Sequence, residues 1–468
     1  MEERYDLIVV GAGPGGYVAA IKAAKLGMRT AIVEESKVGG TCLNRGCIPA
    51  KAMLHAAEVY RTVKEGDSFG IIAGDVSFDF GKILQYKEET SEKLVQGVEQ
   101  LLAANKVRKL DGKGMLLPGR KISVTSEGET KIYEADHILL AAGSKPVILP
   151  IPGIDLPGVL TSDDLFALKE MPESLVIIGG GVISVEFATI YASFGCKVTI
   201  LEAMPRILPG MDKEISQNLK LILKKRGVDI HTSASVKKVE SEGNGYTCWF
   251  EDKESEQRVS AQFILCAVGR CPNTDGLFAK EAVPEMERGR IVTDQHFQTS
   301  LEGVYAIGDL VKGMQLAHLA SAQGIVAVET LAGIKPSVDL EAIPGCVYTD
   351  PEIASVGLTE EDARGKNIPV KIGKFIMSAN GKSLITKEER GFIKIVAEER
   401  TGVILGVQMM CARATDMIGE MGTAVANRLT VRQLLKAVRA HPTYNEGVGE
   451  ALEELEGGAI HTIPRKKR

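Results

Sequence analysis

Apolar and polar positions along this chain follow two rhythms. Near the start, Leu7–Val10 is an unbroken apolar run that stops at a glycine turn, and a segment of helical period, GYVAAIKAAKLG, follows it. After Gly27 a second apolar run, TAIVEE, ends in an acid. Short β-branched runs bounded by glycine predict buried strands, and the spacing between them predicts a helix. The same order returns further along. ESLVIIGGGVISVEFATIYASFGCKVTILEA (173–203) matches YDLIVVGAGPGGYVAAIKAAKLGMRTAIVEE (5–35) at a constant offset, with Gly195 in the place of Gly27. The pattern predicts strand, helix, strand, twice over.

Each copy carries a phosphate-binding signature. The first reads G-x-G-x-x-G at Gly11, Gly13 and Gly16; the second has Gly179 and Gly181, with Ser184 in the third place. Small residues there let backbone approach a pyrophosphate held at the positive end of the helix. Glu34 and Glu202 end the two second strands at the same spacing. A carboxylate at that position accepts hydrogen bonds from ribose hydroxyls and repels a 2′-phosphate. The chain is therefore expected to bind two dinucleotides. With no arginine after Glu202 until Arg206, the second copy favours NAD over NADP.

Two further segments, HILLAAGSKP (137–146) and GVYAIGDL (303–310), each run a strand into a small-residue turn. Taken together they fit returns of the backbone to a ligand; either alone is ordinary strand-to-loop punctuation. From about Gly345 the pattern changes. GFIKIVAEERTGVILGVQMM (391–410) predicts a hairpin turning at Thr401-Gly402, and helical periods follow over Ala414 to Asn427 and Val431 to Ala440. This predicts a separate α+β domain.

The chain has 468 residues, too many for one ordinary core, and size alone suggests about three or four domains. Glycine is enriched, and the net charge of -5 gives no electrostatic reason to expect nucleic acid or a membrane surface. The short basic ending IPRKKR reads as solvated. No segment reaches the roughly 18 apolar residues of a membrane span, and the early glycine turn leaves no room for a signal or transit peptide. The expected location is the cytoplasm, or the mitochondrial matrix where a presequence has been removed.

Of eight cysteines, six are scattered singletons: Cys196, Cys248, Cys266, Cys271, Cys346 and Cys411. Cys42 and Cys47 alone form a close pair, in GGTCLNRGCIPAK (39–51). Structural zinc needs four ligands, and no second close Cys or His pair accompanies these two. A structural staple across so small a loop would remove little unfolded-state entropy. A redox pair fits better. Residues five apart in a regular helix are separated by about 7.5 Å along its axis, beyond the roughly 4.4–6.8 Å that a disulfide tolerates. Bridging demands a distorted first turn, which Gly46 permits, with the helix proper starting near Pro49. A thiol at a helix N-terminus is also acidified, as an exchanging thiolate requires.

With these residues in view, the chain resembles the flavin disulfide reductases, the pyridine nucleotide-disulfide oxidoreductases. Members acting on glutathione, mercuric ion or dihydrolipoyl groups carry a G-G-T-C-x-N-x-G-C-x-P-x-K segment, matched here through Lys51. The resemblance covers essentially the whole chain. The second fingerprint, the Ala-Ile-Gly-Asp turn and HPTYNE, which supplies His441 and Glu446, occur in the family's order. GAGPGGYVAAIKAAKLG, AMPRILPGMD, MSANGKSL and ATDMIGEM are most similar to the branch that oxidises dihydrolipoyl groups with NAD⁺. Mercuric reductases typically add a C-terminal cysteine pair, whereas this chain ends HTIPRKKR. Departures from the family pattern are Arg45, Ala50, Ser184 and Cys271.

The resemblance implies an α/β fold with two Rossmann-like dinucleotide-binding domains, for FAD and NAD, plus a C-terminal α+β dimerisation domain. Expected boundaries are 1–148 for FAD and the redox disulfide, 149–274 for NAD, 275–344 for a segment returning to the FAD domain, and 345–468 for the interface. FAD would lie on Gly11, Gly13 and Gly16, with Glu34 on its ribose and Asp309 near its ribityl chain. Further cofactor contacts are expected at Thr41, Lys51, Gly114, Ala142, Gly143 and Ser144, and at Ala317 and His318. NAD would use Gly179, Gly181, Glu202 and Gly269.

By the same resemblance, Cys47 is the thiol beside the flavin, Cys42 exchanges with substrate, and Lys51 pairs with Glu186. His441, held by Glu446, takes the substrate proton, since a thiol needs a base poised near neutrality. His55, His137, His231, His296, His318 and His461 have no partner visible in sequence. No metal is expected. The implied partners are lipoyl domains of a multienzyme complex and a second copy of the chain, with sites across the dimer interface. The alternative is a related FAD-dependent disulfide or mercuric reductase.

Overall fold

The computed structural model describes residues 4–252 and 255–463; Pro464–Arg468 of the basic ending lie outside the described residues. The chain divides into two compact units. One takes in the chain up to Pro150, Val159–Met171 and Leu265–Leu340; the other takes in Ile151–Gly158, Pro172–Ile264 and the chain from Glu341.

The first unit is built on the strand Arg4–Val10. It pairs in parallel with Thr30–Glu34 on one side and with the second half of Glu129–Leu140 on the other. Arg108–Asp111 and Val304–Ala306 extend this parallel sheet at its two ends. Both faces are covered. Leu7, Val9, Ile32 and Leu139 enter one core, while Ile8, Val10, Val33, Ile138 and Leu140 enter the other. That is why the strand reads as an unbroken apolar run rather than an alternating one. Each such fully buried aliphatic side chain stabilises the fold by roughly 1.5–3 kcal/mol. The two segments read as returning strands are neighbours, since Val304–Ala306 lies in register against Ile138–Leu140. Helix Ala317–Leu331 runs beside helix Pro14–Lys25, where Ser321 Oγ donates to the Pro14 carbonyl at 3.1 Å.

In the second unit the repeat folds again. Ser174–Ile178, Lys197–Glu202 and Asp229–Thr232 form parallel strands, and helix Val182–Ser193 follows the glycine turn. Eight consecutive residues of that helix, Ser184 to Tyr191, are buried, which explains its apolar character all round. Beyond it stands a five-stranded antiparallel sheet of Gly345–Val347, Ile353–Gly357, Ile404–Met410, Phe392–Glu398 and Val370–Ile376. Helices Ala414–Ala426 and Glu446–Glu456 share its core.

The hairpin turns at Thr401-Gly402, as its pattern predicts. The second helical period does not run to Ala440. The helix stops at Leu434, because the apolar positions do not share one buried face: Val431 and Leu434 enter the core, but Val438 is 98% exposed. No helix among the described residues is long and apolar enough to cross a membrane.

Candidate active site

The dithiol segment is two helices, not one distorted turn. Gly40–Arg45 ends at Gly46, and an 18-residue helix, Cys47–Lys64, starts afresh. It begins at Cys47 itself, two residues ahead of the start expected near Pro49. Cys42 thus sits in the short helix, and Cys47 occupies the first turn of the long one, where unpaired amides favour an anion.

Both sulfurs are half-buried and unbridged. The Cys42 thiol is held well above its ordinary range, first by its hydrogen bond to Cys47, then by burial; the Lys51 charge pulls the other way. The two sulfurs therefore act on each other directly, and Cys47, at the start of the long helix, is the one beside the helix amides.

The segment is pressed onto the first glycine turn. A β-carbon on Gly40, whose φ is +54°, would lie 2.7 Å from the Gly13 Cα, so this approach is open only to glycine. Within the turn, a β-carbon on Gly16 would come 1.8 Å from the Gly11 carbonyl oxygen. The second copy breaks this rule. Ser184 stands in the corresponding place, fully buried, and its hydroxyl has no hydrogen-bond partner among the described residues.

The two acids repeat the same contact. Glu34 Oε2 accepts the Ala12 N–H at 2.8 Å, and Glu202 Oε2 accepts the Gly180 N–H, in each case from the residue after the first glycine. The other Glu202 oxygen accepts the Met204 N–H at 2.5 Å.

Four of the expected contact points gather at the carboxyl ends of the first parallel sheet: Gly11, Glu34, Gly143 and Asp309. Ser144 Oγ donates to Asp309 Oδ2 at 2.5 Å and accepts from Arg270 Nε at 2.8 Å. Arg270 also donates to the Ser144 carbonyl at 2.8 Å, across the short ladder between Ser144–Pro146 and Arg270–Pro272. Sequence reasoning singled out Cys271 and missed the arginine beside it. Gly114 packs on Val10 and Val33, at the same end of the sheet. Ala317 and His318 open their helix beside the start of the fingerprint helix, which places two helix N-termini together.

Glu186 is 4% exposed and accepts the Tyr348 N–H at 3.0 Å. His441 Nδ1 meets Glu446 Oε1 at 2.8 Å, and Glu446 Oε2 accepts the Thr443 N–H at 2.9 Å. Burial pushes the Glu446 carboxyl up, but the Thr443 and His441 hydrogen bonds outweigh it and hold it below the usual carboxylate range. With Nδ1–H given to Glu446, Nε2 is the ring's basic atom. The imidazole is 77% exposed on the single chain.

Histidines without a sequence-visible partner find partners in the fold. His461 meets Glu450 at 2.6 Å, His231 meets Asp229 at 2.8 Å and His55 meets Glu58 at 3.1 Å. The His461 contact closes over eleven residues, which no local pattern would reveal. No group of side chains among the described residues is arranged to hold a metal ion.

Residues 5–324 match the family model described as pyridine nucleotide-disulphide oxidoreductase, and residues 343–452 match that family's dimerisation domain. The chain belongs to this family. As a pyridine nucleotide-disulphide oxidoreductase it is 41% identical to a dihydrolipoyl dehydrogenase of Bacillus subtilis (strain 168), over 98% of this chain and 100% of that protein. It is likewise 41% identical to a dihydrolipoyl dehydrogenase of Geobacillus stearothermophilus, over 98% of each chain.

Among solved structures of similar fold, LpdA from Mycobacterium tuberculosis aligns with a TM-score of 0.90 at 26% identity, over 97% of this chain and 99% of that one. The Cu(II) complex of the HOCl-induced flavoprotein disulfide reductase RclA from Escherichia coli aligns at 0.85 and 29%, with the same coverage. The family's cofactors are FAD and NAD, and the residues here fit them. Gly40, pressed on Gly13, has no room for a side chain, and each glycine turn ends on a carboxylate of matching geometry.

Proposed function

We propose that the protein is an NAD-dependent dihydrolipoyl dehydrogenase, serving dihydrolipoyl groups on the lipoyl domains of a multienzyme complex in the cytoplasm. The dithiol carries the reaction class: the Cys42 and Cys47 sulfurs lie within hydrogen-bonding reach of each other, with Cys47 at the start of a long helix. The substrate class is supported by full-length relatives at 41% identity that bear that name. FAD, when bound, supplies two-electron transfer between the dithiol and NAD⁺.

The chain's own groups perform the rest. His441 Nε2 removes a proton from one dihydrolipoyl thiol, and Glu446 stabilises the imidazolium that results. The substrate thiolate attacks Cys42 in the oxidised Cys42–Cys47 pair, releasing Cys47 as thiolate at the helix amides. The second substrate sulfur then attacks the mixed disulfide, Cys42 leaves, and lipoyl departs as a disulfide. Of the two substrate protons, one passes from the second thiol to Cys42 as it leaves, and the other stays on His441 until it is released to solvent. Lys51, one turn beyond Cys47, keeps positive charge beside the thiolate. The working unit is a homodimer in which the His441 dyad of one copy serves the dithiol of the other, in keeping with the dimerisation domain over residues 343–452.

The test is anaerobic turnover of dihydrolipoamide by the flavin-loaded protein, with NAD⁺ and NADP⁺ offered in parallel. Rapid NADH formation with little NADPH is the expected result. A flavin-loaded protein that reduces neither nucleotide would overturn the assignment of substrate.

A further inference from the structure

The loop that carries His441 is tied at both ends to a single carboxylate. Glu420, on helix Ala414–Ala426, accepts Arg439 Nη2 on Oε1 at 2.6 Å, two residues before His441. Its other oxygen accepts Asn445 Nδ2 at 2.8 Å, one residue before Glu446. The Arg439 side chain is only 9% exposed. Its Nε and the Asn445 Oδ1 are buried with no partner among the described residues. Glu420 is therefore the carboxylate on which both flanks of the loop depend. The middle of the loop is held separately, where Asn380, itself 3% exposed, donates Nδ2 to the Thr443 carbonyl at 3.0 Å.

We propose that Glu420 is a positioning residue for the proton acceptor. By tying Arg439 to Asn445 it fixes the separation of His441 from Glu446, whose side chains meet at 2.8 Å. An imidazolium gains from its carboxylate only while that contact is short and aligned. Loosening both flanks lengthens the contact and destabilises the protonated ring. The other ionisable groups around this loop are Tyr444 with Glu388, and His461 with Glu450 on the next turn of the Glu446 helix. None of these touches Glu420 in a hydrogen bond or ion pair. The reaction involved rests on the function proposed above; the bracing does not.

The test compares Glu420→Gln and Asn445→Ala with the wild-type holoenzyme. Three quantities are read: dihydrolipoamide turnover against pH, NADH-to-ferricyanide turnover, and the titration of the His441 ring by NMR, assigned with His441→Gln. In Glu420→Gln, kcat/KM for dihydrolipoamide should fall about tenfold or more while NADH-to-ferricyanide turnover stays within about twofold. The His441 titration and the acid limb of the profile should both move to lower pH, and Asn445→Ala should show a smaller change of the same sign. Two outcomes overturn the inference: an unmoved His441 titration, or a parallel fall of both reactions, which marks a merely structural support. If the wild-type protein fails on dihydrolipoamide, the proposed function falls, and the ring titration alone still decides the role of Glu420.

Discussion

Arg206 lies against Glu361, with its guanidinium nitrogens 3.5 Å from that carboxylate, and it also donates to the Pro209 carbonyl at 3.1 Å. The one arginine that follows Glu202 closely in sequence is thus engaged elsewhere. A 2′-phosphate at the second fingerprint would meet the Glu202 carboxylate without a committed cation. Replacing Glu202 with Ala should lower the NAD⁺ over NADP⁺ preference about 10- to 100-fold, the worth of a charge-assisted hydrogen bond. Adding Glu361→Ala should raise NADP⁺ use further by releasing Arg206. Steady-state kinetics with both nucleotides would check this; an unchanged ratio places the discriminating group elsewhere.

Cys42→Ser and Cys47→Ser should each leave flavin bound, because neither thiol builds the glycine cradle. Dihydrolipoamide turnover should drop to background in both, since a single sulfur cannot accept two electrons as a disulfide. Absorbance of the bound flavin alongside the turnover assay separates the two effects. Retained turnover in either variant would exclude the dithiol mechanism.

His441→Gln removes the proton acceptor and should cost about 10²–10⁴-fold in turnover. Glu446 also makes a contribution to stability whose pH dependence has a definite sign. Its folded value is depressed, so the stabilisation is complete above the unfolded value of about 4.3 and is lost as pH falls through the folded one. The difference in melting temperature between wild type and Glu446→Gln should therefore be constant near neutrality and shrink below about pH 4. A difference that persists at lower pH would mean the carboxylate charge is not what stabilises the loop.

A second charge cluster is buried in the fold. Lys394 donates to Asp212 Oδ2 at 3.0 Å and lies 3.0 Å from Glu214, with both Lys394 and Asp212 buried. Lys394→Met strands the Asp212 carboxylate and should cost about 3–5 kcal/mol in denaturant unfolding. Lys394→Met with Asp212→Asn should recover most of that. Asparagine can still cap helix Lys213–Lys225, where Asp212 accepts the Glu214 N–H at 2.8 Å. A double variant no more stable than the single one would show that the pair, not the stranded charge, sets the cost.

Much of this molecule is legible in its sequence because the informative features are local. The glycine turns, their terminal acids and the cysteine spacing each lie within one strand–helix–strand passage, where backbone geometry dictates residue type. The pattern points to a start of the dithiol helix two residues late because Pro49 is a good helix starter, whereas Gly46 supplies the break that lets Cys47 begin one. The helix expected to reach Ala440 stops early because Val438 belongs to the apolar period but not to the core. Arg270, Asn380 and Glu420 were not visible as site-supporting residues. Their partners stand 126, 63 and up to 25 positions away, and only the folded chain brings such pairs together.

The unequal third positions of the two glycine turns have a practical consequence for engineering. At Gly16 not even a methyl group has room, so the third position of the first turn has no freedom to be redesigned. At Ser184 the same corner of the fold already accommodates a β-carbon and a hydroxyl that bonds to nothing among the described residues. An effort to retarget this protein to another nicotinamide cofactor should spend its library on the second turn and leave the first untouched.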